Sequence, residues 1–194
     1  MNIASLFSSA GIAESRLNEI GISTLVSNEL LEKRCNLYAE INPESEIILG
    51  DISSKNIEKA FTELCKEKKI DVLMATPPCQ GMSVAGSMNP LDQRNHLIKY
   101  AIDIILELKP KYVFLENVPR QLKTKIEFDG NEILIPKYIQ NRLSGFYNFS
   151  KNNLIKAMDH GVPQMRQRNI ILCTRKDQKK TWELPSNKEK VINL

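Results

Sequence analysis

The sequence predicts an α/β protein built on a doubly wound, mostly parallel sheet. Short apolar segments of strand length alternate with longer segments whose apolar residues recur at helical spacing. This alternation indicates βαβ units, in which a helix joins each strand to the next parallel one. The 194 residues suffice for one domain, or for one domain with an appendage.

The predicted elements follow one another in regular order along the chain. The apolar runs predict strands at residues 3–7, 24–27, 47–49, 71–75, 111–115 and 169–174. Helical spacing predicts helices at residues 14–20, 30–40, 55–68, 97–108 and 136–144. Leu17 and Ile20 would face inward from the first helix, and Gly21 and Gly145 would end the first and last helices. An Asp-Gly pair predicts a small hairpin within residues 126–133.

Composition excludes several classes of protein. No apolar run approaches the roughly 18 residues of a membrane span, and the first residues do not read as a signal peptide. The four cysteines are scattered and form no CxxC pair, so we expect neither a zinc site nor a redox motif. A reduced, cytoplasmic setting fits this usage best.

Positive charge is concentrated at the end of the chain. Residues 160–194 contain eight basic and three acidic side chains. Such a segment could contact phosphate groups, although charge alone favours a solvated tail.

Small and acidic residues follow the first three predicted strands. Residues 7–12 form a turn of small residues, Glu29 ends the second strand and Asp51 ends the third. In an open parallel sheet, ligands bind at the carboxyl ends of the strands, where a close turn admits a nucleotide-like cofactor. A plain tight turn or a solvated acid would look the same at any single position. Together the three positions predict a pocket for an adenosine-bearing cofactor.

Two reactive side chains follow later strands. Cys79 comes after the fourth predicted strand and a rigid Pro77-Pro78 pair, and Glu116 comes after the fifth. A cysteine thiol has a pKa of about 8.5, so attack near neutral pH needs a lowered pKa or a proton relay. We interpret Cys79 as a candidate nucleophile and Glu116 as its acid partner. The other cysteines are expected to be buried and inert: Cys35, Cys65 and Cys173.

Seven motifs occur in a fixed order along the chain. They are Phe7-Ser8-Ser9-Ala10-Gly11, Glu29, Gly50-Asp51-Ile52, Pro77-Pro78-Cys79-Gln80, Asp92-Gln93-Arg94, Glu116-Asn117-Val118 and Gly161-Val162-Pro163-Gln164-Met165-Arg166-Gln167-Arg168. Together they resemble the DNA cytosine-5 methyltransferase family over about residues 3–174. The resemblance implies a Rossmann-like methyltransferase fold, S-adenosylmethionine as cofactor and double-stranded DNA as substrate.

The resemblance also assigns catalytic roles. Cys79 would attack carbon 6 of a flipped cytosine, and Glu116 would hydrogen-bond and protonate ring nitrogen 3. Arg168 would support the base and the nucleophile, with Arg166 beside it. Taken alone, this arginine pair would more simply be a surface feature that pairs with acids.

The resemblance places a cofactor pocket at the strand ends. Phe7 would pack on adenine or ribose, and Glu29 would take the ribose hydroxyls. Asp51 and Ile52 would frame the adenine, and Pro78 and Leu97 would line the methionine end. The matching positions are Phe7, Ser8, Gly11, Glu29, Asp51, Ile52, Pro78 and Leu97.

The first turn departs from the family pattern. Ser5 stands where the family usually has an acid, and Ser9 and Ile12 stand where it has glycines. These side chains lie where the cofactor should approach, so we expect weakened or reshaped binding.

A target-recognition domain and a closing segment normally follow the Gln-x-Arg-x-Arg strand in the family. We expect a catalytic domain over residues 1–175 and a polar tail or linker over residues 176–194. This favours one subunit of a split restriction-modification methyltransferase, with a second protein subunit supplying target recognition and pocket closure. The alternatives are a truncated chain and a degenerate relative.

Other functions also stay open. The chain could be a non-catalytic cofactor-binding or regulatory subunit, or a relative that methylates cytosine in transfer RNA. A dinucleotide oxidoreductase is the weakest alternative, because it leaves Pro77-Pro78-Cys79 and residues 164–168 unexplained.

Overall fold

The structure is a computed structural model, and it describes residues 1–78, 93–151 and 153–185. The chain divides into two compact units. One comprises Met1–Pro77 and Leu97–Val113, and the other comprises Pro78–His96 and Phe114–Leu194. Within the described ranges, no helix has the length and apolar character needed to cross a membrane.

The first unit contains four parallel strands and three α-helices. The strands are β1 (Asn2–Leu6), β2 (Ser23–Glu29), β3 (Glu46–Leu49) and β4 (Val72–Ala75), hydrogen-bonded in the order β3-β2-β1-β4. The helices are α1 (Glu32–Ile41), α2 (Lys55–Glu67) and α3 (Leu97–Leu108). This is the parallel α/β architecture that the sequence predicts.

The core of this unit follows from its apolar pattern. Strand β4 is buried along its whole length, as expected of a central parallel strand covered on both faces. Helix α3 buries Ile98, Ala101, Ile102, Ile104 and Ile105, which recur at helical spacing.

The second unit is mixed in strand direction. Strand β5 (Tyr112–Asn117) ends in it and neighbours β10 (Gln167–Arg175). Strand β10 pairs antiparallel with β8 (Tyr147–Phe149) and with β9 (Leu154–Lys156). The unit also contains a hairpin of β6 (Lys125–Phe128) and β7 (Asn131–Leu134), followed by α4 (Ile135–Leu143).

The predicted hairpin is confirmed. Asp129 and Gly130 both have positive φ angles, of 51° and 74°, which a tight two-residue hairpin turn requires. The hairpin packs on α4 through Phe128 and Tyr138, whose rings meet edge to face at 4.9 Å.

The prediction of a helix at residues 14–20 is wrong. Only a short 3₁₀ helix forms, at Leu17–Ile20, and it ends at Gly21 with φ of 74° as predicted. Ile20 is 70% exposed and so does not face inward. The buried residue of this segment is Glu14, so a polar contact and not an apolar face anchors it.

The second unit differs from the prediction in two further ways. Strand β5 continues through Asn117, so Glu116 lies within the strand and not after it. Strand β10 begins at Gln167, before the predicted residue 169, because β9 pairs with its first residues. Neither β8 nor β9 was predicted, since strands of three residues are too short to show a period.

The first turn requires a glycine at position 11. Gly11 has φ of 75°, and a Cβ there would lie 2.8 Å from Tyr38 Cδ2 and closer still to Asn42 Nδ2. Tyr38 lies in α1 and Asn42 caps its carboxyl end, so this helix approaches the turn too closely for a side chain at position 11.

Gly11→Ala should therefore destabilise the chain more than Gly130→Ala, which serves as its matched control. Both glycines have φ near 75°, but nothing lies within 4 Å of a Cβ at Gly130. The backbone strain, about 1–2 kcal/mol, is common to both variants, and overpacking adds about 1–3 kcal/mol for Gly11→Ala alone. Urea unfolding measures the difference, and equal losses would contradict this packing.

Candidate active site

The ends of β1, β2 and β3 form the first part of the candidate site. These strands are parallel neighbours, with Leu6 opposite Asn28 and Glu29 opposite Leu49. Their carboxyl ends therefore share one edge of the sheet, where Phe7, Glu29 and Asp51 stand at or just after the last strand residues. The predicted grouping of three strand ends is thus present in the first unit.

The first turn has an unusual backbone. Phe7, Ser9 and Gly11 all have positive φ angles, of 58°, 52° and 75°. The left-handed conformation costs an L-residue about 1–2 kcal/mol, so the surrounding bonds must hold Phe7 and Ser9 in place. Ser8 is buried and bonds the Asn28 carbonyl through both its amide, at 3.0 Å, and its hydroxyl, at 3.2 Å.

The Glu29 carboxylate fixes this turn from the end of β2. Its Oε2 accepts a hydrogen bond from the Ser9 amide at 2.9 Å, and its Oε1 accepts one from the Leu31 amide at 3.1 Å. Arg34 lies 3.5 Å from Oε1 and is half exposed, so it adds little to this arrangement. A carboxylate has about four acceptor sites, so Glu29 keeps capacity for further donors.

The end of β3 provides an exposed acid and a buried apolar residue. Asp51 is exposed, and its Oδ1 accepts a hydrogen bond from the Ser53 amide at 2.9 Å. Ile52 is only 3% exposed. The Asp51 carboxylate is therefore accessible to a ligand, whereas the Ile52 side chain packs in the interior next to it.

The predicted nucleophile, Cys79, lies outside the described residues. Pro77 is buried and Pro78 is partly buried, directly after β4 and Thr76. Leu97, predicted to line the methionine end, begins α3 and is partly buried.

The other three cysteines are buried, as predicted. Burial raises the pKa of the Cys65 and Cys173 thiols to about 12. Burial, reinforced by the charge of Glu29, also raises the pKa of Cys35. None of the three is a thiolate near neutral pH, so none is suited to nucleophilic attack.

An acid–arginine pair lies in the second unit. Arg168 Nε is 2.7 Å from Glu116 Oε1, and the two side chains are 22% and 23% exposed. Arg168 Nη1 also donates a hydrogen bond to the Gln167 carbonyl at 2.7 Å, which orients the guanidinium. The structure thus brings together two of the predicted catalytic residues. Arg166 is exposed, and no described contact joins its side chain to this pair.

A buried amide pair supports the two elements that carry Glu116 and Arg168. Asn169 Nδ2 donates a hydrogen bond to Gln121 Oε1 at 3.0 Å, and both side chains are at least 97% buried. Asn169 follows Arg168 on β10, and Gln121 lies in the 3₁₀ helix Pro119–Lys123 that follows β5. The sequence offered one signal of this pair, a lone amide inside the apolar run of residues 169–174.

Glu14 is a second residue that sequence reasoning missed. It is 2% exposed, and its Oε1 accepts a hydrogen bond from the Ser5 hydroxyl at 2.5 Å. Burial raises its pKa, although the Ser5 hydrogen bond opposes this effect. A signal was present: the serine at position 5 replaces an expected acid, and an acid follows nine residues later.

The chain is similar to known DNA methyltransferases over almost all of its length. A family model described as C-5 cytosine-specific DNA methylase matches residues 1–193. The type II methyltransferase M1.HgaI of Avibacterium volantium is 38% identical over 98% of this chain and 54% of its own length. M.AquIA of Picosynechococcus is 30% identical over 99% of this chain and 81% of its own length.

Solved structures show the same likeness. A crystal structure of a prophage-encoded DNA modification methyltransferase (E. coli) matches 91% of this chain and 47% of its own, with a TM-score of 0.72 and 28% identity. Spodoptera frugiperda DNMT2 matches 98% of this chain with a TM-score of 0.68 and 19% identity, which supports the fold alone. The chain spans about half the length of M1.HgaI and of M1.HphI from Haemophilus parahaemolyticus.

Glu14→Gln should change how stability depends on pH. Burial raises the pKa of Glu14 above its ordinary 4.5, so the folded chain holds this proton to higher pH than the unfolded chain does. The contribution of Glu14 to the free energy of unfolding therefore falls as pH rises from 4.5 through the raised pKa. The variant lacks this fall, so its stability relative to wild type should increase over that window.

Urea unfolding at several pH values from about 4 to 7 measures this difference. Glu19→Gln is the matched control, because Glu19 is an exposed acid in the same segment, paired with Arg16 at 2.9 Å. A Glu14→Gln difference that stays constant with pH would contradict a raised pKa for Glu14.

Proposed function

Because this chain belongs to the C-5 cytosine-specific DNA methylase family, we propose that it methylates carbon 5 of cytosine in double-stranded DNA. The observation that carries this proposal is the pairing of Arg168 with Glu116 at 2.7 Å, on the two strands where the motifs predict a catalytic acid and its support. The names of the similar proteins, which are type II methyltransferases, agree with it.

Carbon 5 of cytosine is a poor nucleophile, and two side chains of this protein would make it reactive. The Cys79 thiolate adds to carbon 6, while Glu116 donates a proton to ring nitrogen 3, so that no charge accumulates on the ring. Carbon 5 becomes nucleophilic and gains the methyl group. A base then removes the carbon 5 proton, the bond from Cys79 to carbon 6 breaks, and nitrogen 3 returns its proton.

Arg168 has a positioning and electrostatic role in this scheme. Its bond to the Gln167 carbonyl and its contact with Glu116 hold the carboxyl group in one orientation. The buried Gln121–Asn169 hydrogen bond joins the segment after β5 to β10. It therefore helps to hold Glu116 and Arg168 at their short distance. Ring atoms are shielded inside a duplex, so the target base must leave the stack to reach these groups.

The strand ends of the first unit fit S-adenosylmethionine. Glu29 retains acceptor capacity for ribose hydroxyls, the partly buried Phe7 ring offers a face to adenine or ribose, and Asp51 is open to solvent at the neighbouring strand end. When bound, this cofactor supplies the methyl group. Ser8, Gly11 and Ile52 shape the turn and the wall, and Pro78 and Leu97 would line the methionine end.

We also propose that a second polypeptide supplies target recognition and covers the cofactor edge. Sequence reading in the major groove takes dedicated side chains that reach base edges. Three large apolar side chains are well exposed: Ile12 at 77% in the segment after β1, Leu30 at 58% directly after β2 and Leu49 at 46% at the end of β3. Apolar exposure grouped at one edge is typical of a surface that another chain covers.

The covalent mechanism predicts an adduct with DNA that contains 5-fluorocytosine. A base removes hydrogen from carbon 5 but cannot remove fluorine, so the bond from Cys79 to carbon 6 cannot break. The resulting protein–DNA adduct is visible on a denaturing gel. Cys79→Ser and Glu116→Gln should abolish the adduct, and Arg168→Ala should slow its formation by about 10²-fold or more. The chain is assayed as it copurifies, with any bound polypeptide retained and with S-adenosylmethionine added.

Arg175→Ala is the matched control, because it breaks another arginine–carboxylate pair on β10, that with Asp177 at 2.8 Å. It should form the adduct at nearly the wild-type rate. An adduct with 5-fluorocytosine transfer RNA but not with duplex DNA would change the substrate. Absence of any adduct would favour a non-catalytic subunit.

A further inference from the structure

We propose that Glu14 is a positioning residue for the cofactor, and that its buried carboxylate replaces the acid absent from position 5. This inference rests on the proposed function, because it concerns the turn assigned to S-adenosylmethionine. Ser5 is fully buried on β1, and its hydroxyl donates a hydrogen bond to Glu14 Oε1. A carboxylate is thus present beneath the turn, contributed by the segment after the turn and not by the strand before it.

Hydrogen-bonding capacity is left unused around the buried Glu14 carboxyl group. Glu14 Oε2 is buried and has no hydrogen-bond partner among the described residues. Asn42 Nδ2, which can only donate, is likewise buried and has no acceptor among the described residues. The charge of Glu14 contributes to the raised pKa of Tyr38, which places the two side chains in the same buried region. A glutamine at position 14 would add a donor beside Asn42 Nδ2, a buried donor that already lacks an acceptor.

Glu14 reaches the cofactor turn through the backbone. Its amide donates to the Gly11 carbonyl at 3.2 Å, and the Gly11 amide donates to the Ser8 carbonyl at 3.0 Å. The side chain is tied to β1 by Ser5, so one residue connects the strand before the turn with the residues after it. Phe7 and Ser9 depend on such restraint to keep their left-handed conformations. Glu29 restrains the same turn from the side of β2.

A charge exchange between positions 5 and 14 tests this role. The variants are Glu14→Gln, Ser5→Asp and the double variant Ser5→Asp/Glu14→Gln, and the control is Glu19→Gln. Isothermal titration with S-adenosylmethionine gives the Kd of each variant as it copurifies, with any bound polypeptide retained, and urea unfolding at neutral pH shows whether each one folds.

Glu14→Gln should raise Kd by about 10-fold without lowering the urea midpoint, since it also removes a buried charge. Ser5→Asp alone places two carboxyl groups in contact and should lower the midpoint. The double variant should recover Kd to within about 3-fold of wild type, which a residue that merely fills space would not produce. Glu19→Gln should match wild type in Kd.

A Glu14→Gln variant with wild-type Kd would overturn the inference and leave the proposed function intact. Failure of the double variant to recover both affinity and midpoint would also overturn it. Failure of the wild-type chain to bind S-adenosylmethionine would instead overturn the proposed cofactor site, and this inference with it.

Discussion

The hydrogen bond from the Ser9 amide to the Glu29 carboxylate is the contact on which the candidate cofactor site depends. It joins the turn after β1 to the end of β2, and parallel pairing places both at one edge of the sheet. The turn needs this restraint because two of its non-glycine residues are left-handed. The same carboxylate that would meet a ribose therefore first shapes the turn that would meet the rest of the cofactor.

The sequence was sufficient for the architecture of the first unit. Its strands are short apolar runs, α2 and α3 have clear apolar faces, and α3 was predicted with its observed ends. The segment after the first turn was not predictable in this way, because a hydrogen bond between Ser5 and Glu14, nine residues apart in the chain, holds it in place. Apolar periodicity carries no information on such a contact, so a helix was predicted where overlapping turns and a short 3₁₀ helix form.

The candidate site was predictable where a motif has one chemical role, and less so where residues act on one another. Glu116 and Arg168 were identified as separate motifs, and the structure adds that they form one ion pair. The supporting pair, Gln121 and Asn169, has no motif, since an amide–amide bond across 48 residues leaves no local pattern. The exposure of Arg166 agrees with the surface alternative that the sequence left open for this arginine pair, whereas Arg168 is only 22% exposed and contacts Glu116.

The central claim is that the turn after β1 and the ends of β2 and β3 bind S-adenosylmethionine. Hydrogen exchange of backbone amides, followed with and without the cofactor, tests it most directly. The account predicts slower exchange on binding at the amides of Ser8, Ser9 and Leu31, because the cofactor would hold the turn and Glu29 in their present arrangement. Saturating cofactor that slows exchange elsewhere, and leaves these three amides unchanged, would contradict it.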